Sequence, residues 1–390
     1  MHKTAERIGW RNWADPFFFS AGIYTMMIIQ NDGYFIDPSG NGGCTEGETD
    51  MLGQKENLLR MLDGQMPEYV PVATYGGGDA PLVAGGMFFN PSILGDFRGP
   101  EGGYDPWGVH YTTESSAGTV ASIPEPGNFI LKDVTRWEEV IKVPEHFKDW
   151  DWERAAKADM AKIPPWDPEK SLFVGKGWDD FFQQFIGMMG FTEGLCALHE
   201  EPEAVHALLD FMCDTVIDIT KKVLYYYPLE GYYLLDDSAS KYTPFVGREM
   251  FEEFFVPRYK RTLDLVRDAG IPVFYHNCGR CEDLLPPMVR LGVKVWDPAQ
   301  TENDLVEVKN RFGRQLIIRG GYEYKPKNWP NVTEDEVRES VQEAFSRLAP
   351  NGGWIFSGGV YSLDRTDPKV MEVNGWILDE AKRLSVEAYK

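Results

Sequence analysis

Ile271–Gln300, IPVFYHNCGRCEDLLPPMVRLGVKVWDPAQ, spells out a strand, a loop, a helix and a second strand. Pro272–Tyr275 is a short apolar run, Gly279 breaks it, Glu282–Arg290 predicts a helix, and Val293–Trp296 predicts the next strand. Two apolar strands joined through a helix form the unit of a parallel sheet. Alternate strand residues share a face, so His276 and Cys278 point together from the C-terminal end of their strand. Parallel barrels build their sites at that end.

Imidazole and thiolate are a zinc-type donor pair. A catalytic zinc takes three protein ligands and keeps a fourth position open. His-x-Cys supplies two, and on spacing alone a hydrogen-bonded strand histidine beside a small buried cysteine is the favoured explanation of the pattern. Upstream, Gly231–Asp237 (GYYLLDD) predicts a strand ending in two carboxylates. Two acids there are costly to bury unless paired or bound to a metal.

Further strands are predicted over Tyr69–Tyr75, Ser171–Trp178, Gln315–Arg319 and Trp354–Phe356, which makes seven in all. Helices are predicted over Lys55–Leu62, Trp137–Ile141, Trp150–Ala161, Glu193–Tyr227 with a break at Glu201-Pro202, Arg248–Ala269, Asn303–Phe312 and Thr333–Leu348. Thr333-Glu334-Asp335-Glu336 has the capping-box pattern that opens the last of these. Strands alternating with helices point to an α/β chain, a (β/α)8 TIM barrel. Residues 54–390 are assigned to the barrel, and 1–53 to an N-terminal extension that caps it or contacts another subunit. Within that extension Cys44 sits in a polar loop and is read as incidental. Asp105–Pro126 is a β-rich excursion. Gly76-Gly77-Gly78-Asp79 lacks the Lys-Ser/Thr of a phosphate loop. His199 and His206 are read as surface residues, and Cys196 and Cys213 as core.

The chain has 390 residues, 61 acidic against 39 basic, for a net charge of −22. That balance disfavours nucleic acid and acidic membrane surfaces. Five cysteines, few and odd in number, suit free thiols in a reducing compartment. No long apolar run suggests a signal peptide or membrane span. The expected location is the cytoplasm, and a homo-oligomer is possible on the apolar run Pro16–Gln30. Aromatic residues make up 14% of the chain, which suits a pocket for a flat ligand or a large aromatic core.

Several segments together resemble the uroporphyrinogen decarboxylase superfamily, and within it the zinc-dependent methyltransferases that exchange methyl groups with corrinoid proteins. They are Gln54–Val72, DPWGVHY at Asp105–Tyr111, Gly231–Arg261, H-N-C-G at His276–Gly279, the LGVKVWDP turn, Phe312–Tyr322 and GGWIFSGGV at Gly352–Val360. The resemblance implies a barrel-end zinc held by a histidine and a cysteine, matching His276 and Cys278, and by a later cysteine. The segment Ser357–Val360, where that cysteine is expected, has none. Asp237 is the preferred third ligand, with Glu252, Cys281 and Glu323 as alternatives. An oxygen ligand makes a harder site, suited to polarising oxygen more than to activating a thiol.

The resemblance extends to the methyltransferase component of O-demethylases. It implies transfer of methyl from an O-methylated, methoxyaromatic small molecule to cob(I)alamin carried on a corrinoid partner protein. Asp236 or Tyr322 would protonate the leaving oxygen. A methylamine, betaine or methanol donor is the alternative within this class. A metal-free decarboxylase and a non-catalytic binding protein are the alternatives outside it.

Overall fold

The computed structural model describes residues 51–73, 86–95, 101–116, 119–163, 167–360, 362 and 366–390. Residues 1–50 of the expected extension, Cys44 and the glycine run through Asp79 lie outside the described residues. Two short strands come first, β1 (Val72–Ala73) and β2 (Gly86–Phe89). An antiparallel sheet of β3 (Gly103–Tyr104), β4 (His110–Ser116) and β5 (Thr119–Pro124) forms the β-rich excursion. Then follow β6 (Leu172–Lys176), β7 (Gly231–Leu235), β8 (Val273–His276), β9 (Val293–Ala299), β10 (Ile317–Glu323) and β11 (Trp354–Gly359).

The parallel pairings run in chain order from β2 and β6 through β11, and β11 pairs in turn with β1. Among the described residues the sheet thus returns to its first strand, with helices between successive strands from β2 onward, the arrangement of a (β/α)8 barrel. Seven of its strands lie where the sequence predicts them. The eighth, β2, has four residues between glycines and Asn90-Pro91, too few for a period-two pattern to register.

The barrel interior is apolar at one end and polar at the other. Leu58, Met61 and Leu62 of the helix Gln54–Leu62 share one core with Leu172, Val174, Leu235, Phe274, Val295, Ile317 and Ile355 from the strands. Lys55 on the same helix bonds Glu230, the residue just before β7, so this helix plugs the strand N-terminal end. The site is thereby confined to the opposite mouth.

The larger core lies between strands and helices, and the aromatic residues collect there. Trp107 stacks on Trp178 at 4.9 Å, and Phe147 meets Trp178 edge-on. The helix Phe181–Met189 is buried along almost its whole surface, so it lacks the polar face by which a helix is recognised in a sequence. The predicted helix Arg248–Ala269 is two helices, Arg248–Phe254 and Val256–Asp268, parted where Pro257 lacks an amide donor. The capping box at Thr333–Glu336 is formed. Cys213 is buried as expected, but Cys196 is exposed, on the outward side of the helix Phe191–Glu200. Among the described residues no helix is long and apolar enough to cross a membrane.

Candidate metal centre

Strand parity builds the site. In β7, Tyr233 and Leu235 belong to the barrel-interior core, so the face that they share continues to Asp237. In β8 the same parity joins Phe274, His276 and Cys278. Leu235 pairs in register with His276, which brings Asp237 beside Cys278 at the barrel mouth. Just beyond, Gly279 turns the chain at φ +85°. A Cβ there would lie 2.5 Å from the Ser240 carbonyl oxygen, so the turn after Cys278 requires glycine.

Asp237, His276 and Cys278 are all buried, and one donor atom from each lies within 4.8 Å of the other two. Zinc bonds of about 2.0–2.3 Å in a tetrahedral site place donor atoms roughly 3.3–3.8 Å apart. Cys278 Sγ is 3.3 Å from His276 Nε2, and Asp237 Oδ1 is 3.6 Å from the same nitrogen. Oxygen, nitrogen and sulfur at these separations fit a zinc-type ion. Burial, followed by the charge of Asp237, pushes the Cys278 thiol well up. A cation between the two would offset both costs.

Neighbouring side chains orient the trio. His276 Nδ1 lies 3.0 Å from Asp297 Oδ1, and the Tyr233 hydroxyl donates to the same oxygen at 2.6 Å. The hydroxyl proton is committed to Asp297, and the carboxylate only accepts, so Nδ1 carries a hydrogen and Nε2 turns its lone pair toward Cys278 and Asp237. Burial alone would raise the Asp297 carboxyl, but the His276 hydrogen bond, Arg319 and Tyr233 hold it below the usual carboxylate range. Asp237 takes the Cys278 backbone N–H at 2.7 Å on Oδ1 and the Gln183 side-chain amide at 3.3 Å on Oδ2. Such carboxylate–histidine and amide–carboxylate contacts fix the direction of metal ligands.

The remaining candidates lie elsewhere. Asp236, one residue from Asp237, faces out of the barrel. Its carboxylate accepts the backbone N–H groups of Phe182 and Gln183 and the Tyr259 hydroxyl, anchoring the start of the helix Phe181–Met189. Tyr322 also faces outward, packs on Phe356 and bonds Ser340 on the helix Glu334–Leu348. The structure thus turns both expected proton donors away from the trio. Among the alternative ligands, Cys281 sits in the outer core with its thiol on the Asn277 carbonyl, Glu252 bonds Arg248 and Arg290 at the surface, and Glu323 pairs with Lys325.

Sequence reasoning passed over Tyr233, Asp297, Arg319 and Gln183. Two of them carried a signal. Tyr233 has the parity of Asp237, and Asp297 lies in the strand that follows H-N-C-G, in register with His276.

Residues 182–373, the stretch carrying β7 to β11 and the trio, match the uroporphyrinogen decarboxylase (URO-D) family. Among solved structures, a methyltransferase from Methanosarcina mazei matches with a TM-score of 0.55 at 13% identity, over 85% of this chain and 98% of its own. At that identity the likeness is one of fold. A Sinorhizobium meliloti protein matches at 12% identity with a TM-score of 0.26, over 54% of this chain and 87% of its own, too weakly to bear on the fold. No curated protein matches by sequence.

Proposed function

We propose that this URO-D-type barrel is a zinc-dependent methyltransferase that moves methyl from an O-methylated, aromatic donor to the cob(I)alamin of a separate corrinoid protein. The observation that carries the proposal is the buried Asp237–His276–Cys278 trio at the barrel mouth, with Nε2 already turned into it. The likeness to the Methanosarcina mazei methyltransferase supports the reaction class, and the oxygen donor in the trio supports an ether over a thiol partner.

An aryl ether surrenders its methyl only if the oxygen is helped to keep the bonding electron pair as carbon passes to the cobalt nucleophile. Asp237, His276 and Cys278 would hold a zinc ion, which would supply that help as a Lewis acid. The chain's own residues supply preorganisation. Asp297 and Tyr233 hold His276 in one tautomer, while Gln183 and the Cys278 amide hold Asp237. The plugged N-terminal end keeps solvent from entering beneath the site.

The test mixes zinc-loaded protein with reduced cobalamin and a panel of methoxyaromatics, methylamines, betaines and methanol, and follows formation of methylcobalamin by absorbance. Turnover of methoxyaromatics is expected. Turnover only of an amine, betaine or methanol would replace the donor and keep the methyltransferase. A protein that binds no zinc and turns over no donor would leave a metal-free decarboxylase as the alternative.

A further inference from the structure

We propose that Asn277, which stands between His276 and Cys278, is a positioning residue that sets the spacing of the trio from the far side of the strand. This inference rests on reading the trio as a metal centre and holds for any methyl donor.

The pairing of β7 with β8 stops short of the site. Leu235 pairs with His276 and the register ends there, so Asp237 and Cys278 both lie past the last paired residues. Strand ends beyond their ladder are free to splay. On the inner face the Cys278 N–H reaches Asp237 Oδ1 at 2.7 Å, but that contact draws on a carboxylate that a metal also needs.

On the outer face Asn277 continues the pairing with its side chain. Period two turns it away from both ligands, to the side of Tyr275 in the outer core. Its Oδ1 accepts the Ser238 backbone N–H at 3.0 Å, and its Nδ2 donates to the Ser238 hydroxyl at 2.8 Å and to the Tyr275 hydroxyl at 2.6 Å. Its own N–H donates to the Asp297 carbonyl at 3.0 Å. Asn277 thus holds the residue after Asp237, the residue before His276 and the backbone of the aspartate that orients His276. A fully buried amide is costly unless its donors and acceptor are used, and here Oδ1 and both Nδ2 hydrogens are used. Aspartate could accept from Ser238 N–H but not donate, and leucine could do neither. Asp236, on the same face, ties its strand to a helix, whereas the Asn277 side chain ties strand end to strand end. Its loss should therefore be felt at the ligands.

The experiment measures zinc affinity by competition with a chelator and loads the same proteins with cobalt(II), whose visible and thiolate charge-transfer bands report coordination geometry. Asn277→Leu keeps the bulk and removes all three side-chain bonds. Its zinc affinity should fall by about 10- to 100-fold, the usual cost of losing a residue that supports a ligand, and its cobalt bands should weaken as the site opens. Ser238→Ala removes one of the three bonds and should shift both readouts less, in the same direction. Asp236→Ala is the control for mere loosening of the outer face: stability in urea should fall while the cobalt bands keep their native form. Native affinity and a native cobalt spectrum in Asn277→Leu overturn the positioning role, and if that variant does not fold, the same result in Ser238→Ala overturns it. Cobalt bands that change as much in Asp236→Ala as in Asn277→Leu also overturn it. A native protein that takes up neither zinc nor cobalt sinks the metal reading and the positioning role together. Weakened metal binding in the variants, with no donor turned over by the native protein, keeps the positioning role and sinks the methyltransferase.

Discussion

Asp236 and Asp237 are neighbours in sequence and differ in everything that follows. Asp236 looks outward and ties the barrel to the helix Phe181–Met189 through two backbone amides and Tyr259. Asp237 looks inward, beside a histidine and a cysteine. The outer face of the strand ends holds the helices in place, and the inner face of the same strand ends collects the groups that can act on a ligand. Alternation along a strand divides the two tasks, and a shift of one residue would exchange them.

The largest effects should come from the inner face. His276→Ala or Cys278→Ala should cost more zinc affinity than the about 10- to 100-fold that losing a supporting residue costs, with the fold intact. Competition with a chelator measures the affinity, and circular dichroism checks the fold. Retention of full zinc by either variant would break the inner-face assignment. On the outer face, Asp236→Ala should behave oppositely. It strands two buried backbone donors and a phenol, so it should lose about 3 kcal/mol of stability in urea unfolding while zinc affinity stays within error. Loss of zinc without loss of stability would mean that the two aspartates have been assigned the wrong way round.

The contrast was half legible in the sequence. Short apolar runs placed seven strands, and H-N-C-G at a strand end placed His276 and Cys278. Yet the sequence pattern points both Asp236 and Asp237 to the site, although period two forbids adjacent residues to share a face. Applied from Asp237 backward, the same rule would have found Tyr233. Asp297 needed register as well as parity, which only the pairing of β8 with β9 supplies. The aromatic content could not be apportioned from composition. In the structure the Trp107, Trp178 and Phe147 cluster belongs to the helix-facing core. Nor could strand β2 or the helix Phe181–Met189 be seen, one too short and the other too uniformly apolar to show a period.

A supporting residue of the inner face should give an intermediate effect. Asp297→Asn keeps the shape but removes the charge that fixes the Nδ1 hydrogen of His276, so zinc affinity should fall by about 10- to 100-fold, with stability changed by less than in Asp236→Ala. Because Asp297 is held below the usual carboxylate range, its contribution should be present above its unfolded-state value and fade as pH falls through its lower folded value. The native protein should therefore show a larger loss of zinc on acidification than Asp297→Asn, and parallel losses would remove Asp297 from the site.

Tyr322 gives the smallest and most discriminating case. Ser340 commits its own proton to the Val337 carbonyl at 2.6 Å, so Tyr322 must be the donor in the 2.7 Å contact between their hydroxyls. Burial pushes its phenol up, away from easy proton release, and its contacts with Ser340 and Phe356 lie on the outer face, away from the trio. In Tyr322→Phe the ring keeps its packing on Phe356, and Ser340 keeps its bond to the backbone. The expected cost is about 0.5–1 kcal/mol of stability, with zinc affinity and kcat unchanged. If kcat instead falls by about 10-fold or more in a fully folded variant, worth about 1.4 kcal/mol of transition-state stabilisation, then a residue of the outer face acts on the reaction. The division of labour between the two faces would then fail where the structure makes it most explicit.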